Sequence, residues 1–388
     1  MIDRELCHPA GELLPGGGRT LDQLKQEVLR RVESNRPPLG GIKPEDARAA
    51  LAAIDSLDRE QWALAWNSVA ERHHTRAASL EASAPERARE HYWQAWRLNH
   101  FARWPVENSP AKQRAKNRAL EAFRSYGRLL DPALEIVRIP YEGRQITAYL
   151  RLPAGLRPAP LVFAIAGLDS RKEDFAAHAD QYLQRGAGLL AVDLPGTGES
   201  SIAAAPDSDR LFSVLLDYLA ARPDVDAARI VAQGRSWSGY WAAKLAHTER
   251  ARLCGSVMHG GPIHHYFQPD WLRASLATDE YLYDYMPAKE KLFGADGIDD
   301  LLARAQRYSL LDSGVLDQPC APMLLVNGAR DTQIPIADLY LLLEHGDAKE
   351  AWVNPQGGHM GRSPQWPANA IFERVVMPWI ARRLELSY

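Results

Sequence analysis

Two patterns of hydrophobic and polar positions divide this chain near residue 131. Upstream, apolar residues recur at helical spacing through long Ala- and Arg-rich segments, and stretches rich in Pro and Gly interrupt them. Because this spacing gathers apolar side chains on one face of a helix, the pattern predicts five helices, over residues 21–32, 44–57, 59–80, 85–101 and 111–130. We therefore expect residues 1–130 to form a helical cap domain.

Downstream, short runs of Val, Ile and Leu alternate with helical patterns. These runs predict eight strands, over residues 135–139, 145–152, 161–166, 188–193, 229–233, 253–258, 322–327 and 350–353. Strands that alternate with helices are typical of a parallel sheet with helices on both faces. The fold class expected for residues 131–388 is α/β, with a doubly wound, mostly parallel eight-stranded sheet.

A long interval, residues 262–318, separates the sixth and seventh predicted strands. It carries helical patterns of its own, and unstructured loops of that length are uncommon in compact domains. We interpret it as an insertion that lies over the active site as a lid.

Composition narrows the class of protein. The chain has 388 residues, 46% of them hydrophobic, and a formal net charge of −3, which fits a globular enzyme with more than one hydrophobic core. The first residues are charged and no apolar run approaches the length of a membrane span, so we expect a cytoplasmic protein without membrane association. Cys7, Cys254 and Cys320 are odd in number and widely spaced, which predicts reduced thiols.

A basic cluster over residues 112–128 lacks interleaved aromatic residues and any recognisable nucleic-acid motif. Charge of this kind is typical of a solvated helix face. We expect no nucleic-acid partner.

Residues 231–240, Val-Ala-Gln-Gly-Arg-Ser-Trp-Ser-Gly-Tyr, place a serine after an apolar strand and before a helical pattern. This order is typical of a nucleophile elbow, a sharp turn that raises a serine hydroxyl above the carboxyl edge of a sheet. Ser236 is the predicted nucleophile. Ser238 occupies a position where glycine is usual, but taking Ser238 as the nucleophile would put bulky Tyr240 at a position that needs a small residue.

Two further candidates follow the last two predicted strands. Asp331 comes just after the strand over residues 322–327, and His359 follows the eighth strand on a loop with two glycines. The carboxyl ends of parallel strands meet at one edge of a sheet, and hydrolases of this architecture carry serine, acid and histidine in this chain order. We predict that Ser236, Asp331 and His359 form a catalytic triad.

These residue types suit acyl transfer. A serine hydroxyl becomes nucleophilic when an imidazole takes its proton, and a carboxylate holds that imidazole in one tautomer. The oxyanion that forms needs preorganised N–H donors, which we expect from the backbone of Trp237 and of Leu168 in the loop after the third strand. Asp169 in that loop is a candidate pocket residue. The alternative for the loop is that it supplies no donor and that Gly167 only turns the chain.

Two motifs carry a family resemblance. Residues 191–200, Ala-Val-Asp-Leu-Pro-Gly-Thr-Gly-Glu-Ser, resemble the D-x-P-G-x-G-x-S stretch of α/β-hydrolases, and residues 167–173, Gly-Leu-Asp-Ser-Arg-Lys-Glu, resemble a motif of one branch. That branch includes the fermentation-respiration switch protein, 2,6-dihydroxypseudooxynicotine hydrolase and fungal hydrolases that shorten pigment polyketides. The resemblance covers roughly residues 85–388.

The resemblance implies a helical amino-terminal cap, no metal or organic cofactor and, in many members, a homodimer. It also implies hydrolysis of a small-molecule substrate, either at an ester or at a carbon–carbon bond of a β-dicarbonyl or acyl-phenol compound.

Several residues keep two interpretations. Trp93 and Trp96 share one helix face, either in the core of the cap or in the wall of an aromatic substrate pocket. His264 and His265 follow the sixth strand and are candidates for facing the substrate. Together with His259 they could suggest a metal, but no carboxylate or cysteine stands at ligand spacing, so we expect none.

Two classes of function remain open. The first is a cofactor-independent serine hydrolase, with a carbon–carbon bond of a β-dicarbonyl or acyl-aromatic, polyketide-like substrate favoured over an ester or thioester. Cleavage of a carbon–carbon bond needs an acid that protonates carbon, for which His264, His265 and Asp270 are candidates by position. The second class is a regulatory or binding protein that keeps the fold without turnover.

Overall fold

Five helices occupy residues 21–128 of the described chain, in the segments where the apolar periodicity predicts them. The computed structural model of the protein describes residues 11–155, 157–277 and 279–386. The helices are α1 (Leu21–Glu33), α2 (Pro44–Ala52), α3 (Arg59–Leu80), α4 (Pro85–Ala102) and α5 (Pro110–Arg128). Side-chain caps from Thr20, Asp58 and Ser109 satisfy N–H groups at the starts of α1, α3 and α5.

Helix α2 is shorter than predicted, because it ends at Ala52 rather than at residue 57. The side-chain oxygen of Gln61 accepts the N–H groups of Asp55 and Ser56 at 3.3 and 3.2 Å. This acceptor replaces the helical carbonyls that those N–H groups would otherwise need. It comes from the start of the next helix, so the local pattern could not reveal it.

Tryptophans form the centre of the helical unit. Trp62, Trp66 and Trp96 are completely buried. Trp96 packs edge-on against Phe123 and Trp93, with ring centroids 4.8 and 5.1 Å apart, and such contacts add to the free energy gained from burying aromatic surface. The tryptophan face of α4 therefore serves core packing, one of its two interpretations.

Residues 277–291 belong to the same compact unit as residues 1–134, although the sequence predicts them as part of a lid inserted into the catalytic domain. The carboxylate of Asp284 accounts for this, because Lys112 donates to it at 2.9 Å and Arg59 at 3.1 Å. All three side chains are almost inaccessible to solvent. Burial alone would raise the pKa of Asp284, but Lys112 and Arg59 lower it to about 2, so the carboxylate stays ionised.

The second compact unit comprises residues 135–276 and 292–388. The prediction of one continuous insertion over residues 262–318 is therefore wrong for residues 277–291. Ion pairs between segments far apart in the chain leave no local sequence signal. The position of the remaining insertion over the active site stays a prediction.

A mixed sheet organises the second unit, and the described residues contain all eight predicted strands. They are β1 (Glu135–Tyr141), β2 (Arg144–Arg151), β3 (Ala159–Ile165), β4 (Gly188–Val192), β5 (Val225–Arg235), β6 (Gly255–His259), β7 (Met323–Gly328) and β8 (Glu350–Asn354). Their order in the sheet is β1-β2-β4-β3-β5-β6-β7-β8. Strand β2 pairs antiparallel with β1 and β4, and the other pairs are parallel.

The strand order reverses at β3, which lies between β4 and β5. In open α/β sheets such a reversal leaves a crevice at the carboxyl ends of the two diverging strands. The loop after β3 and the turn after β5 therefore lie at the place where this architecture binds ligands. Strands β3, β4, β6 and β7 are buried along their whole length, which fixes the edge rigidly.

Ten further α-helices follow α5 in the described residues. These are α6 (Lys172–Ala176), α7 (Asp180–Leu183), α8 (Arg210–Ala220), α9 (Gly239–Thr248), α10 (Pro269–Ser275), α11 (Tyr285–Phe293), α12 (Gly297–Gln306), α13 (Ile336–Glu344), α14 (Ala368–Ile371) and α15 (Met377–Arg383). A π-helical turn, Phe372–Val376, joins α14 to α15.

Two of the three cysteines fall in the described residues and are free thiols, with Cys320 buried and Cys254 partly buried. Cys7 lies outside the described residues. No helix of the described ranges is both long enough and apolar enough to cross a membrane.

We expect Asp284→Asn to lower the free energy of unfolding of the helical unit by about 3–5 kcal/mol, because it leaves Lys112 and Arg59 buried without a counter-charge. Asp279→Asn is the matched control, since the Asp279 side chain is 77% exposed in the same segment and a change there should cost less than about 0.5 kcal/mol. Urea unfolding followed by tryptophan fluorescence measures both. Equal stabilities of the two variants would show that Asp284 does not anchor the segment.

Candidate active site

A strained turn carries the predicted nucleophile. Strand β5 ends at Arg235, Ser236 has a φ of 55°, and α9 begins three residues later at Gly239. Neighbouring glycines allow this turn: a Cβ on Gly234 would lie 2.1 Å from the carbonyl oxygen of Ser238, and one on Gly239 would lie 2.6 Å from the Cα of Gly261. The close packing holds Ser236 in a conformation that L-residues rarely adopt.

Ser238, the departure from the usual glycine, has a structural part in the elbow. Its hydroxyl accepts the N–H of Arg235 at 2.8 Å and lies 2.7 Å from the carbonyl oxygen of Ile165, to which it donates. Ile165 ends β3, so this buried hydroxyl ties the elbow to the neighbouring strand. Ser238 is completely inaccessible to solvent, which separates its role from that of Ser236.

The three predicted triad residues form one chain of hydrogen bonds. The Nε2 of His359 lies 2.8 Å from the Oγ of Ser236, and its Nδ1 lies 2.8 Å from Oδ2 of Asp331. A hydrogen on Nδ1 is the only arrangement in which His359 both donates to a carboxylate and accepts from a serine hydroxyl. This geometry is suited to proton removal from Ser236.

The Asp331 side chain is fully buried beside His359. Its second oxygen, Oδ1, accepts the backbone N–H groups of Gln333 and Ile334 at 2.8 and 3.1 Å. Burial raises the pKa of the Asp331 carboxyl, but attraction to His359, the hydrogen bond to it and the two N–H groups outweigh burial and lower the pKa overall. Asp331 therefore stays ionised and can stabilise an imidazolium.

Side chains from the ends of three strands hold the histidine turn. Met360, which follows the histidine, has a φ of 59°. Its N–H donates to Oδ1 of Asn327 at 3.0 Å, and its carbonyl oxygen lies 2.9 Å from Nε2 of His259. The amide of Asn354 donates to the carbonyl oxygen of Gly361 at 2.8 Å. Strands β7, β6 and β8 thus fix the backbone on which His359 stands.

His259 supplies its bond to Met360 as a neutral imidazole. Burial is the largest cause, and nearby Arg235, His359 and Arg362 act in the same direction, so that the pKa of His259 falls to about 3. The hydrogen bond to Met360 must therefore come from an N–H on Nε2 of the neutral ring. His259 remains uncharged throughout the pH range in which a triad histidine works.

The loop after β3 packs directly against the elbow. A Cβ on Gly167 would lie 3.0 Å from the carbonyl oxygen of Arg235 and 3.9 Å from the Cβ of Ser236. The guanidinium of Arg171 donates to the carbonyl oxygens of Leu168 and Ser170 at 3.1 and 2.7 Å. These two bonds hold the loop in place through its carbonyl oxygens.

The N–H groups of Leu168 and Trp237 donate to no acceptor in the described part of the chain. Both residues adjoin Ser236, one through the packed loop and the other as its neighbour in sequence. Two free donors beside a nucleophile are the arrangement that stabilises a developing oxyanion. Asp169, the other candidate in this loop, is partly exposed.

A buried ion cluster supports this loop from below. Nζ of Lys172 lies 2.9 Å from Glu173, 3.0 Å from Asp193 and 2.7 Å from Glu199. The carboxylate of Asp193 also accepts the backbone N–H groups of Lys172 and Glu199 at 2.8 and 2.9 Å. The two motifs that carry the family resemblance are therefore one unit, which joins the loop after β3 to the loop after β4.

His264 and His265, the histidines predicted for the pocket, have hydrogen-bond partners outside the Ser236–His359–Asp331 chain. The N–H groups of His264 and His265 donate to Asp338 at 3.0 and 2.6 Å, and Nδ1 of His264 lies 2.7 Å from the Oγ of Ser309. In the described chain neither imidazole hydrogen-bonds to the triad. Trp93 and Trp96 pack against each other in the helical unit. Among the described residues, no cluster of three or more His, Cys, Asp or Glu side chains could hold a metal ion.

Sequence reasoning missed the residues that hold the histidine turn. Asn327 is the last residue but one of β7, Asn354 ends β8, and His259 ends β6. The available signal was a polar residue at the carboxyl end of each otherwise apolar strand, on the edge where the triad stands. The sequence pattern suggested His259 only as a metal ligand, together with His264 and His265.

We expect His259→Gln to weaken the acid sensitivity of the fold. Below its ordinary pKa near 6.5 an unfolded His259 takes up a proton while the folded one stays neutral down to about 3, so the stability present above pH 6.5 is lost as the pH falls. By this mechanism His259 accounts for about 2 kcal/mol of the stability lost between pH 8 and pH 5, and the variant should lack that loss.

Urea unfolding at both pH values measures the effect. His259→Ala separates titration from the hydrogen bond, because it should be less stable than His259→Gln by a similar amount at each pH. The same pH dependence in wild type and His259→Gln would contradict the assignment of a neutral, buried imidazole.

Comparison with known proteins agrees with the architecture. In structure, the chain is similar to 2,6-dihydroxy-pseudo-oxynicotine hydrolase, with a TM-score of 0.75 and 22% identity over 91% of this chain and 95% of that one. It is also similar to wild-type AbyA5, with a TM-score of 0.73 and 23% identity over 95% and 96% of the two chains. These similarities confirm the predicted α/β-hydrolase fold.

In sequence, Esterase FrsA of Citrobacter koseri is 30% identical over 309 residues, which make up 73% of this chain and 72% of that protein. Esterase FrsA of Salmonella newport is 30% identical over 239 residues, 60% of this chain and 57% of that relative, so the chain spans little more than half its length. The family described as Esterase FrsA-like matches residues 52–353. The chain is therefore a hydrolase that belongs to the FrsA-like esterase family.

Proposed function

We propose that the chain is a cofactor-independent serine hydrolase that cleaves a carboxylic ester by way of an acyl-enzyme on Ser236. The observation that carries this proposal is the continuous hydrogen-bonded chain from Ser236 through His359 to Asp331. This chain of bonds lies at the edge of the sheet where the strand order reverses, beside two N–H groups that have no acceptor among the described residues.

In the first half of the reaction, His359 Nε2 takes the proton of Ser236 as its Oγ attacks the ester carbonyl carbon. The carbonyl oxygen becomes an oxyanion, which the N–H groups of Leu168 and Trp237 stabilise. Collapse of this intermediate breaks the bond to the leaving oxygen, and His359 returns the proton to that oxygen. The product alcohol leaves, and the acyl group stays on Ser236.

In the second half, a water molecule replaces the alcohol. His359 removes a proton from the water, which attacks the acyl carbon, and the oxyanion forms again against the same donors. Collapse expels Ser236, which recovers its proton from His359, and a carboxylic acid is released. In both halves the ionised Asp331 stabilises the imidazolium and keeps the Nδ1 hydrogen in place.

Membership of an esterase family and the economy of the mechanism both favour an ester. Expulsion of an alkoxide or phenoxide needs no acid other than His359. A thioester meets the same requirement and belongs to the same proposal. An intact chain of nucleophile, base and acid in a hydrolase family gives no support to a role in binding without turnover.

Hydrolysis of a carbon–carbon bond in a β-dicarbonyl or acyl-aromatic substrate is the second candidate, and the motif over residues 167–173 favours it. This reaction expels a carbanion and needs an acid placed over the carbon. His264 is already committed to Ser309, and neither His264 nor His265 hydrogen-bonds to Ser236 or His359 in the described chain. Ester hydrolysis therefore ranks first.

We expect Ser236→Ala and His359→Ala each to lower kcat by about four to six orders of magnitude, and the double variant to lose little more, because the residues act as a unit. Both variants should also lose covalent labelling by a fluorophosphonate probe. Ser238→Ala is the matched control: it removes a hydroxyl from the same turn and should still be labelled, with lower stability because the bond to Ile165 is lost. Ordinary turnover by Ser236→Ala would sink the proposal.

A substrate pair with the same acyl group distinguishes the two bonds. Phenyl acetate and 1-phenylbutane-1,3-dione both transfer an acetyl group, but only the second requires a proton on carbon. We expect kcat/KM for the ester to exceed that for the diketone by about a hundredfold or more, the range that a missing general acid accounts for. The opposite ranking would make the protein a carbon–carbon hydrolase that uses the same triad.

A further inference from the structure

Arg235 directly precedes the nucleophile, and its guanidinium has no hydrogen-bond acceptor among the described residues. Its cation lies over the ring of Phe175, 3.9 Å from the centroid. In the described chain no carboxylate forms an ion pair with it and no carbonyl oxygen accepts its N–H groups. A partly buried arginine normally has such partners, because leaving a desolvated cation unpaired is costly.

The contact with Phe175 explains how the side chain is held but not what it binds. A guanidinium is planar, and its five N–H donors lie in its own plane. Stacking on a ring occupies a face and leaves the donor edges open. Arg235 therefore presents a fixed fork of donors.

Neighbouring arginines use their donors differently. Arg171 donates to the carbonyl oxygens of Leu168 and Ser170, and Nε of Arg362 donates to the carbonyl oxygen of His359 at 2.9 Å. These two stabilise the loops around the site. Arg235 makes no bond of this kind, so a role in holding a loop does not account for it.

Arg235 is the last residue of β5 and so lies at the carboxyl edge of the sheet. Phe175 is only 2% exposed and Tyr182, whose hydroxyl bonds to Gln233 of β5, is likewise 2% exposed. These residues close the flank below Arg235, whereas Arg235 itself remains partly exposed at the last position of its strand. Solvent therefore reaches part of Arg235, which directly precedes Ser236 in the chain.

Several charged or titratable groups lie near Arg235. Burial lowers the pKa of Arg235, Tyr182 and Asp174 act in the opposite direction, and Arg362 lowers it further. The Asp174 carboxylate is already bonded to the backbone N–H of Arg171 at 2.8 Å. Nothing in the described chain neutralises the guanidinium by direct contact.

We infer that Arg235 binds a carboxylate of the substrate, so that the ester cleaved at Ser236 belongs to a molecule with a second, ionised carboxyl group. This inference rests on the proposed function and names its substrate class. A carboxylate matches the fork of a guanidinium with two parallel hydrogen bonds. Arg235 directly precedes Ser236 in the chain, and for this reason we place the carboxylate and the reacting carbonyl in one substrate molecule.

Two pairs of substrates test this inference, and in each pair methylation of one carboxyl group removes its charge. 4-Nitrophenyl hydrogen glutarate and 4-nitrophenyl methyl glutarate carry the carboxyl or its methyl ester on the acyl side. 4-Acetoxybenzoate and methyl 4-acetoxybenzoate carry it on the leaving group. Within each pair, the ratio of kcat/KM for the anion to that for the neutral ester measures recognition of the carboxylate, independently of the fraction of enzyme that is folded.

In at least one pair we expect wild type to prefer the anion, and Arg235→Met to lower the ratio by about 10- to 100-fold, the loss of a charge-assisted hydrogen-bonded pair. Methionine keeps an apolar chain against Phe175. Arg235→Lys keeps the charge without the fork and should retain part of the ratio. Arg157→Met, which removes an exposed arginine paired with Asp224, is the control and should leave the ratio unchanged.

The outcomes separate the two proposals. Hydrolysis of the neutral esters with no preference for the anion in either pair, or a ratio that Arg235→Met does not change, overturns the inference and leaves the serine hydrolase standing. Failure of wild type to hydrolyse all four esters overturns the proposed function and the inference with it.

Discussion

The backbone conformation of Ser236 is the constraint on which the site depends. A positive φ at a residue with a side chain costs of order 1–3 kcal/mol and persists only where the surrounding packing enforces it. Here Gly234 packs against the backbone of Ser238, and Gly239 against that of Gly261, with no room for a Cβ at either glycine. The buried hydroxyl of Ser238 ties the turn to β3. The free energy gained from burying the central strands holds Ser236 in place.

The turn that carries His359 is also held in a strained conformation by its surroundings. Met360 also has a positive φ, and side chains from the ends of β6 and β7 bond to its carbonyl oxygen and N–H. Two strained turns on one rigid sheet are thereby brought to within 2.8 Å of each other at Ser236 and His359. Flexible loops could not keep that distance without losing conformational entropy each time the bond formed.

The local pattern of apolar and polar positions predicted the strands and the candidate site residues that follow them. All eight strands and the order of Ser236, Asp331 and His359 follow from apolar runs and the residues that end them, because burial of a parallel sheet requires such runs. The end of α2 depends on Gln61 of the following helix, and the grouping of residues 277–291 with the helices depends on the contacts of Asp284 with residues distant in sequence. The polar support of the histidine turn was missed because each supporting residue is unremarkable alone.

The buried charged groups of this molecule differ in whether a change of protonation can neutralise them. The cluster around Lys172 holds three carboxylates against one cation, and burial raises the pKa of Glu173, so that taking up a proton can relieve the excess. Lys112, beside Asp284, can release a proton to the same end, since burial lowers its pKa. Arginine has no such relief at any accessible pH. In the described chain no carboxylate contacts Arg235, and the proposed carboxylate of the substrate would meet this charge.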